Sequence, residues 1–256
     1  MVSFYATGDK GSVLIMHGFT GTPFDVMPLA QTLNDAGFEV HAPLLAGHHA
    51  GTDALNQTKA EDWILDAERF WQALPNTKPR IVAGFSMGGL LACLLANNYQ
   101  DDIDGLLLLA PAFHLRVDGA LVGLAARHGL WRILPSFPKA KHGGDVGDKR
   151  MRRLNPTGTS VPVKGLKEFE RLRLKTIAEV KELKPPVWSA FGGKDHVINA
   201  RKSARVVQHI AHNLEQELWF PLSHHLLIID KERAELCQQA LSFCEHISAK
   251  KKNPRI

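Results

Sequence analysis

The 256-residue sequence predicts an α/β protein: a mostly parallel central sheet, helices on both faces, and one helical insertion. Three observations carry that expectation. Short apolar runs alternate with stretches of helical periodicity at both ends of the chain, the order that parallel strands and crossover helices require. The run Leu106-Leu107-Leu108-Leu109-Ala110 has no polar alternation, as suits a strand buried on both faces. Between residues 112 and 180 the alternation gives way to helical patches punctuated by Gly143, Gly144, Gly147, Pro156, Gly158, Pro162 and Gly165. That break divides the chain into core segments 1–111 and 181–256 and an insertion at 112–180.

Each element has its own signal. Residues 12–17 form an apolar strand that runs into Gly18-Phe19-Thr20-Gly21-Thr22-Pro23. Pro23 suits a helix start, and residues 24–36 carry helical periodicity, with Pro28 predicting an irregular first turn. Residues 38–43 are the next strand, and 44–51 a loop holding His48 and His49. Adjacent loop histidines without a third ligand at defined spacing read as structural. Residues 58–74 predict a helix with Trp63, Ile64, Ala67, Phe70 and Trp71 on one face. Strands follow at 81–85, 103–111, 186–191 and 215–220, with helices at 199–211 and 231–248, the last capped by Asp230. Within the insertion 168–180 is the clearest helix, and the apolar patches at 121–124 and 130–134 look able to cover a hydrophobic cleft.

Composition narrows the function classes. A hydrophobic content of 45% with 22% charged residues is that of a globular domain. No apolar run approaches the ~18 residues of a membrane helix, and no basic-then-apolar leader is visible, so no membrane insertion is expected. Cys93, Cys237 and Cys244 lie in apolar helical patterns without metal spacing, which reads as reduced core thiols of a cytoplasmic protein. The net charge of +5 is uneven: residues 112–180 hold 14 Lys/Arg and 6 Asp/Glu, the remainder 17 and 20. The basic stretch has no interleaved aromatics and no nucleic-acid motif, so it reads as solvated surface rather than a nucleic-acid partner site.

The chemistry is concentrated at Gly84-Phe85-Ser86-Met87-Gly88. A strand that reverses into a helix there holds the middle residue in strained geometry with its side chain outward. The helix also begins beneath the hydroxyl, where its first amides stabilise negative charge. A serine nucleophile needs a base, and the base an acid that fixes its tautomer. In strand–turn–helix folds of this kind the chain order is Ser, acid, His. Asp195 stands just past strand 186–191, whereas the rival Asp118 lies inside the insertion. Spacing leaves His224 and His225 equal as the base. The amides of Phe19 and Met87 are positioned to hold an oxyanion, with His17 bracing the loop that carries Phe19.

These motifs resemble, across nearly the full chain, the bacterial carboxylesterase and monoacylglycerol-lipase-like serine hydrolases of the α/β-hydrolase family. The matching stretches are His17-Gly18-Phe19-Thr20-Gly21, His41-Ala42-Pro43 with Gly47-His48, Glu61-Asp62-Trp63, Gly84 to Gly89, Lys194-Asp195, and Ser223 to Asp230. Gly47-His48-His49 departs from the family's usual Gly-His-Gly. The resemblance implies an α/β-hydrolase fold, and the insertion at 112–180, read from the broken alternation, is expected to be a helical lid over its site. It also implies a Ser86, Asp195, His225 triad. His225 is chosen because the family's catalytic histidine precedes two apolar residues, here Leu226-Leu227, and an aspartate five positions on, here Asp230. The implied activity is a serine carboxylesterase for short or medium acyl esters, monoacylglycerols among them, working through an acyl-serine without metal or organic cofactor. A thioesterase or amidase of the same fold is the alternative, and a non-catalytic binding protein the more distant one.

Overall fold

The computed structural model describes residues 2–48, 50–76, 79–116, 135–139 and 143–252. His49, Asp118 and the apolar patches at 121–124 and 130–134 lie outside the described residues.

In chain order the strands are β1 (Phe4–Ala6), β2 (Ser12–Met16), β3 (Glu39–Ala42), β4 (Arg80–Phe85), β5 (Gly105–Leu109), β6 (Ser136–Pro138), β7 (Ser160–Pro162), β8 (Leu183–Gly192) and β9 (Ala211–Phe220). The α-helices are α1 (Met27–Asp35), α2 (Gly51–Gln57), α3 (Ala60–Gln72), α4 (Met87–Asn98), α5 (Lys149–Leu154), α6 (Val163–Glu179), α7 (Ala200–Ile210) and α8 (Arg233–Lys252). The main sheet runs β1-β3-β2-β4-β5-β8-β9. Its pairings are parallel except that of β1 with β3. β6 and β7 form a separate antiparallel ribbon between β5 and β8 in sequence.

Why β4 is central follows from its residues. Every position from Arg80 to Phe85 is buried, as is every position of β5 and β2. Parallel strands covered on both faces have no solvent side to reward polar alternation. Helix α4 is buried from Met87 through Ala96 and packs against β4, β5, α3 and α6. The register pairs Met16 with Gly84 and Phe85 with Leu109, which brings the carboxyl ends of β2, β4 and β5 to one edge. Ligand sites of open α/β sheets form at that edge.

The differences from sequence expectation have local causes. β1 is a three-residue antiparallel edge strand, too short and too exposed to carry a period-two pattern. α2 begins at Gly51, the last residue of the stretch read as a loop, whose φ is +75°, and occupies 52–57, which carried no assignment. Pro28 does mark an irregular start: Pro23–Val26 form a 3-10 turn, and α1 opens at Met27 with Pro28 in its first turn, where no amide is needed. Ala211 begins β9 rather than ending α7, and β9 is longer than its apolar core. Asp230 directs its carboxylate chiefly to the Gly147, Asp148 and His224 amides instead of capping α8. Among the described residues no helix is long and apolar enough to cross a membrane.

Candidate active site

Ser86 is the single residue between β4 and α4, and its φ of +54° lies in the left-handed region that side chains avoid. A non-glycine residue there costs on the order of 1–3 kcal/mol and persists only if its surroundings fix it. They do: the Ser86 amide donates to Leu109 O (2.9 Å), and Ser86 O accepts from the amides of Gly89 (3.1 Å) and Ala112 (3.2 Å). Close backbone approach explains the flanking glycines. A Cβ on Gly84 would stand 2.1 Å from Gly88 O, and one on Gly88 2.1 Å from Met16 O.

His225 Nε2 lies 2.9 Å from Ser86 Oγ, and His225 Nδ1 lies 2.7 Å from Asp195 Oδ2. Asp195 is held in turn, since its Oδ1 accepts from the amides of Val197 and Ile198, both at 2.8 Å. All three side chains are buried. The loops bearing Asp195 and His225 touch directly. Lys194 N donates to Ser223 O at 2.9 Å, and a Cβ on Gly192 would stand 2.4 Å from His224 O. The Gly192-Gly193 pair therefore lets the acid loop lie against the histidine loop.

Burial disfavours the charged imidazole of His225, yet the Asp195 carboxylate, with Asp145 and Asp25 nearby, raises its pKa above the ordinary histidine value. Burial alone pushes Asp145 up, but hydrogen bonds from the His196 amide (2.9 Å) and ring (3.0 Å) bring it below the usual carboxylate value. Asp145 Oδ2 also accepts from the His225 amide at 3.3 Å.

His224, the rival by spacing, turns away from the serine. Its Nδ1 is 3.1 Å from Asp230 Oδ2, and Asp230 is fully buried. Phe19 lies in the turn closed by Gly21 N to Gly18 O at 3.0 Å, where Thr20 has a φ of +58°. Its ring stacks on Phe169, with centroids 5.2 Å apart. Met87 provides the first amide of α4. Among the described residues neither the Phe19 nor the Met87 amide donates to a protein acceptor. His17 ties this loop to the next: its Nδ1 is 2.9 Å from Gly18 O, and its Nε2 accepts from the Leu45 amide at 3.2 Å.

Ser86 and His225 open onto a cavity of about 430 Å³. Its walls are largely apolar, with Phe19, Phe137, Val161, Leu166, Phe169 and Leu226 contributing. Asp25 and Lys139 also line it. Burial raises the Asp25 carboxyl from 3.8 to about 6 and lowers the Lys139 ammonium from 10.5 to about 8, each offset in part by the other's charge. Asp25 is further held by the Thr22 amide (3.3 Å) and by Asn155 Nδ2 (3.0 Å). Sequence reasoning passed over Asp25, Lys139, Asp145 and His196. For Asp25 a signal existed: Thr22-x-x-Asp25 after the loop is a capping-box pattern. Asp145 sits in a Gly-rich stretch with no periodicity, and only the fold brings it to His225.

The profile of the family described as "Serine aminopeptidase, S33" matches residues 7–232. A thermostable monoacylglycerol lipase of Bacillus sp. (strain H-257) is 28% identical over 94% of this chain and 92% of its own length. A carboxylesterase of Bacillus subtilis (strain 168) is 26% identical, covering 94% of both chains. Among solved structures, one from a study of the metagenome-derived lipolytic enzymes LipS and LipT superposes with a TM-score of 0.84 at 22% identity, covering 96% of this chain and 97% of that one. A soluble variant of the monoglyceride lipase of Saccharomyces cerevisiae superposes with a TM-score of 0.80 at 16% identity, covering 96% of this chain and 91% of the other.

Proposed function

Because the chain belongs to the serine aminopeptidase S33 family and has the α/β-hydrolase fold of lipases and esterases, we propose that this ester hydrolase cleaves short or medium acyl esters through an acyl-serine. Monoacylglycerols are within that substrate class, as the name of the Bacillus lipase suggests. The observation that carries the reading is the hydrogen-bonded line Ser86–His225–Asp195, 2.9 Å and then 2.7 Å, at the base of an apolar cavity.

In this reading His225 takes the Ser86 proton as Oγ attacks the ester carbonyl, and Asp195 stabilises the imidazolium. The raised His225 pKa suits a base that must hold this proton and then return it to the leaving alcohol. The amides of Phe19 and Met87 receive the oxyanion, aided by the N-terminal end of α4. A water activated by the same imidazole releases the acid. Residues 112–180 serve as the lid: β6, β7 and α6 supply Phe137, Val161 and Leu166 to the wall that would receive the acyl chain. An apolar wall with few polar groups favours an acyl chain over a peptide.

Ser86→Ala is expected to lower ester hydrolysis by several orders of magnitude with an unchanged circular-dichroism spectrum, leaving only oxyanion and binding effects. A fluorophosphonate should add mass to the Ser86 peptide alone. Graded p-nitrophenyl esters, acyl-CoA thioesters and an aminoacyl anilide, run side by side, assign the bond cleaved. Labelling elsewhere, or an active alanine variant, would overturn the serine mechanism.

A further inference from the structure

Next to the Asp195–His225 pair lie polar side chains that neither attack nor carry the proton in that mechanism. Asp145, His196 and His224 offer ligand atoms that all fall within 4.8 Å of one another. They come from three loops: the Gly-rich stretch before α5, the loop after β8 and the loop after β9. The sheet edge that assembles the triad assembles this trio as well.

One pair of the trio already has nearly the spacing of two metal ligands. His196 Nδ1 and Asp145 Oδ1 are 3.0 Å apart. Two ligands of a tetrahedral zinc ion, each about 2.0–2.1 Å from the metal, lie roughly 3.4 Å apart, so this pair nearly spans one edge of such a site. His224 is oriented from behind by Asp230 on its Nδ1 at 3.1 Å. Asp230 is in turn fixed by the amides of Gly147, Asp148 and His224, at 2.9, 2.8 and 2.7 Å. A carboxylate on one ring nitrogen is how metal-binding histidines are commonly oriented, leaving the other nitrogen as the ligand. Exposure is graded: Asp145 is buried, His224 half-buried and His196 exposed, so an ion has a path from solvent. Two imidazoles and one carboxylate suit zinc-class cations, whereas calcium and magnesium favour oxygen ligands throughout.

We propose that Asp145, His196 and His224 form a binding site for a divalent transition cation of the zinc class, and that an ion held there inhibits the enzyme. The inhibition follows from position. Asp145 and His196 both line the cavity that holds Ser86 and His225. A hydrated ion on that wall narrows the entry, and ligation draws Asp145 away from the His225 amide that it now accepts from. The inhibitory part rests on the ester-hydrolase reading; the binding part does not. The competing account is a plain hydrogen-bond network that braces the histidine loop.

The test uses untagged, chelator-stripped protein, titrated with zinc against a chromophoric indicator while p-nitrophenyl ester hydrolysis is followed in parallel. The expected result is one zinc per chain, no competition from magnesium, and inhibition reversed by chelator. His196→Ala and His224→Ala should each weaken binding by about tenfold or more, with inhibition shifting in step. Circular dichroism checks that both variants fold, and each is normalised to its own zinc-free rate. Absence of stoichiometric binding overturns the site. Equal affinity in His196→Ala also overturns it, because the ion would then sit on the triad or elsewhere. Binding without inhibition overturns the regulatory part. Should the protein bind zinc as expected while Ser86 fails to react with fluorophosphonate, the site stands and the hydrolase reading falls.

Discussion

His224 and His225 share a loop and meet different carboxylates. Adjacent on the chain, the two rings take different partners: His225 reaches Asp195 and Ser86 while His224 reaches Asp230. Only one imidazole can lie within about 3 Å of both a hydroxyl and an acid at this position. His225→Ala is therefore expected to lose nearly as much rate as Ser86→Ala, since nucleophile and base act as a unit. His224→Ala should lose at most about tenfold, because its ring braces the loop without touching the serine. Rates of both variants on one activated ester, with chelator present, decide the point; an inactive His224 variant beside an active His225 variant would reverse the roles. Spacing left the two histidines equal, and the family pattern around Leu226, Leu227 and Asp230 favoured His225. Chain order and strand ends pointed to Ser86 and Asp195 because both follow apolar runs into glycine-rich turns. Asp25 could be read only as far as its capping box with Thr22, and Asp145 and His196 could not be read in that way. Their partners lie 130, 80 and 51 positions away in sequence, and no local pattern records such a pairing.

Elements were legible in proportion to burial. β2, β4 and β5 announce themselves because each is apolar throughout, and α4 because it follows a glycine-flanked turn with good helix formers. β1, α2 and the β6–β7 ribbon are short and partly exposed, so their sequences carry little periodic signal and their form is set by what they pack on. α6 belongs to the stretch assigned to the insertion, yet it packs on α2, α3 and α4, and it turns Phe169 onto Phe19. It thus joins the cavity wall to the loop proposed for the oxyanion. If these elements form the acyl pocket, Phe137→Ala and Leu166→Ala should alter the preference among acyl lengths more than the rate on the shortest ester. The lever is modest, since each methylene gained or lost in an apolar pocket is worth about 1–3 kcal/mol of discrimination. A series of kcat/KM values from acetate to decanoate reads it out. A uniform fall at every chain length would give β6 and α6 a scaffold role and remove them from the specificity argument.

Across the whole molecule, buried carboxylates join the segment between β5 and β8 to the body. Asp230 accepts from the Gly147 and Asp148 amides, Asp145 from His196 and His225, and Asp25 from Asn155. Such links hold the wall over Ser86, and they make stability depend on pH. Asp25 is the clearest case, because burial raises its pKa from 3.8 to about 6. Between those values the folded chain binds more protons than the unfolded chain, so this group's contribution to stability falls as pH rises and levels off above about 6. At about 1.36 kcal/mol per unit, the full change is on the order of 3 kcal/mol. Asp25→Asn resembles the protonated acid at every pH. Relative to wild type, the variant should gain stability from pH 4 to 6. Urea unfolding of both proteins at each pH measures the difference directly, and subtraction cancels groups that Asp25 does not perturb, such as His17 and Asp148. Parallel stability curves across that range would mean that Asp25 is ionised in the fold well below pH 6. The Lys139 charge and the Thr22 and Asn155 hydrogen bonds would then outweigh its burial.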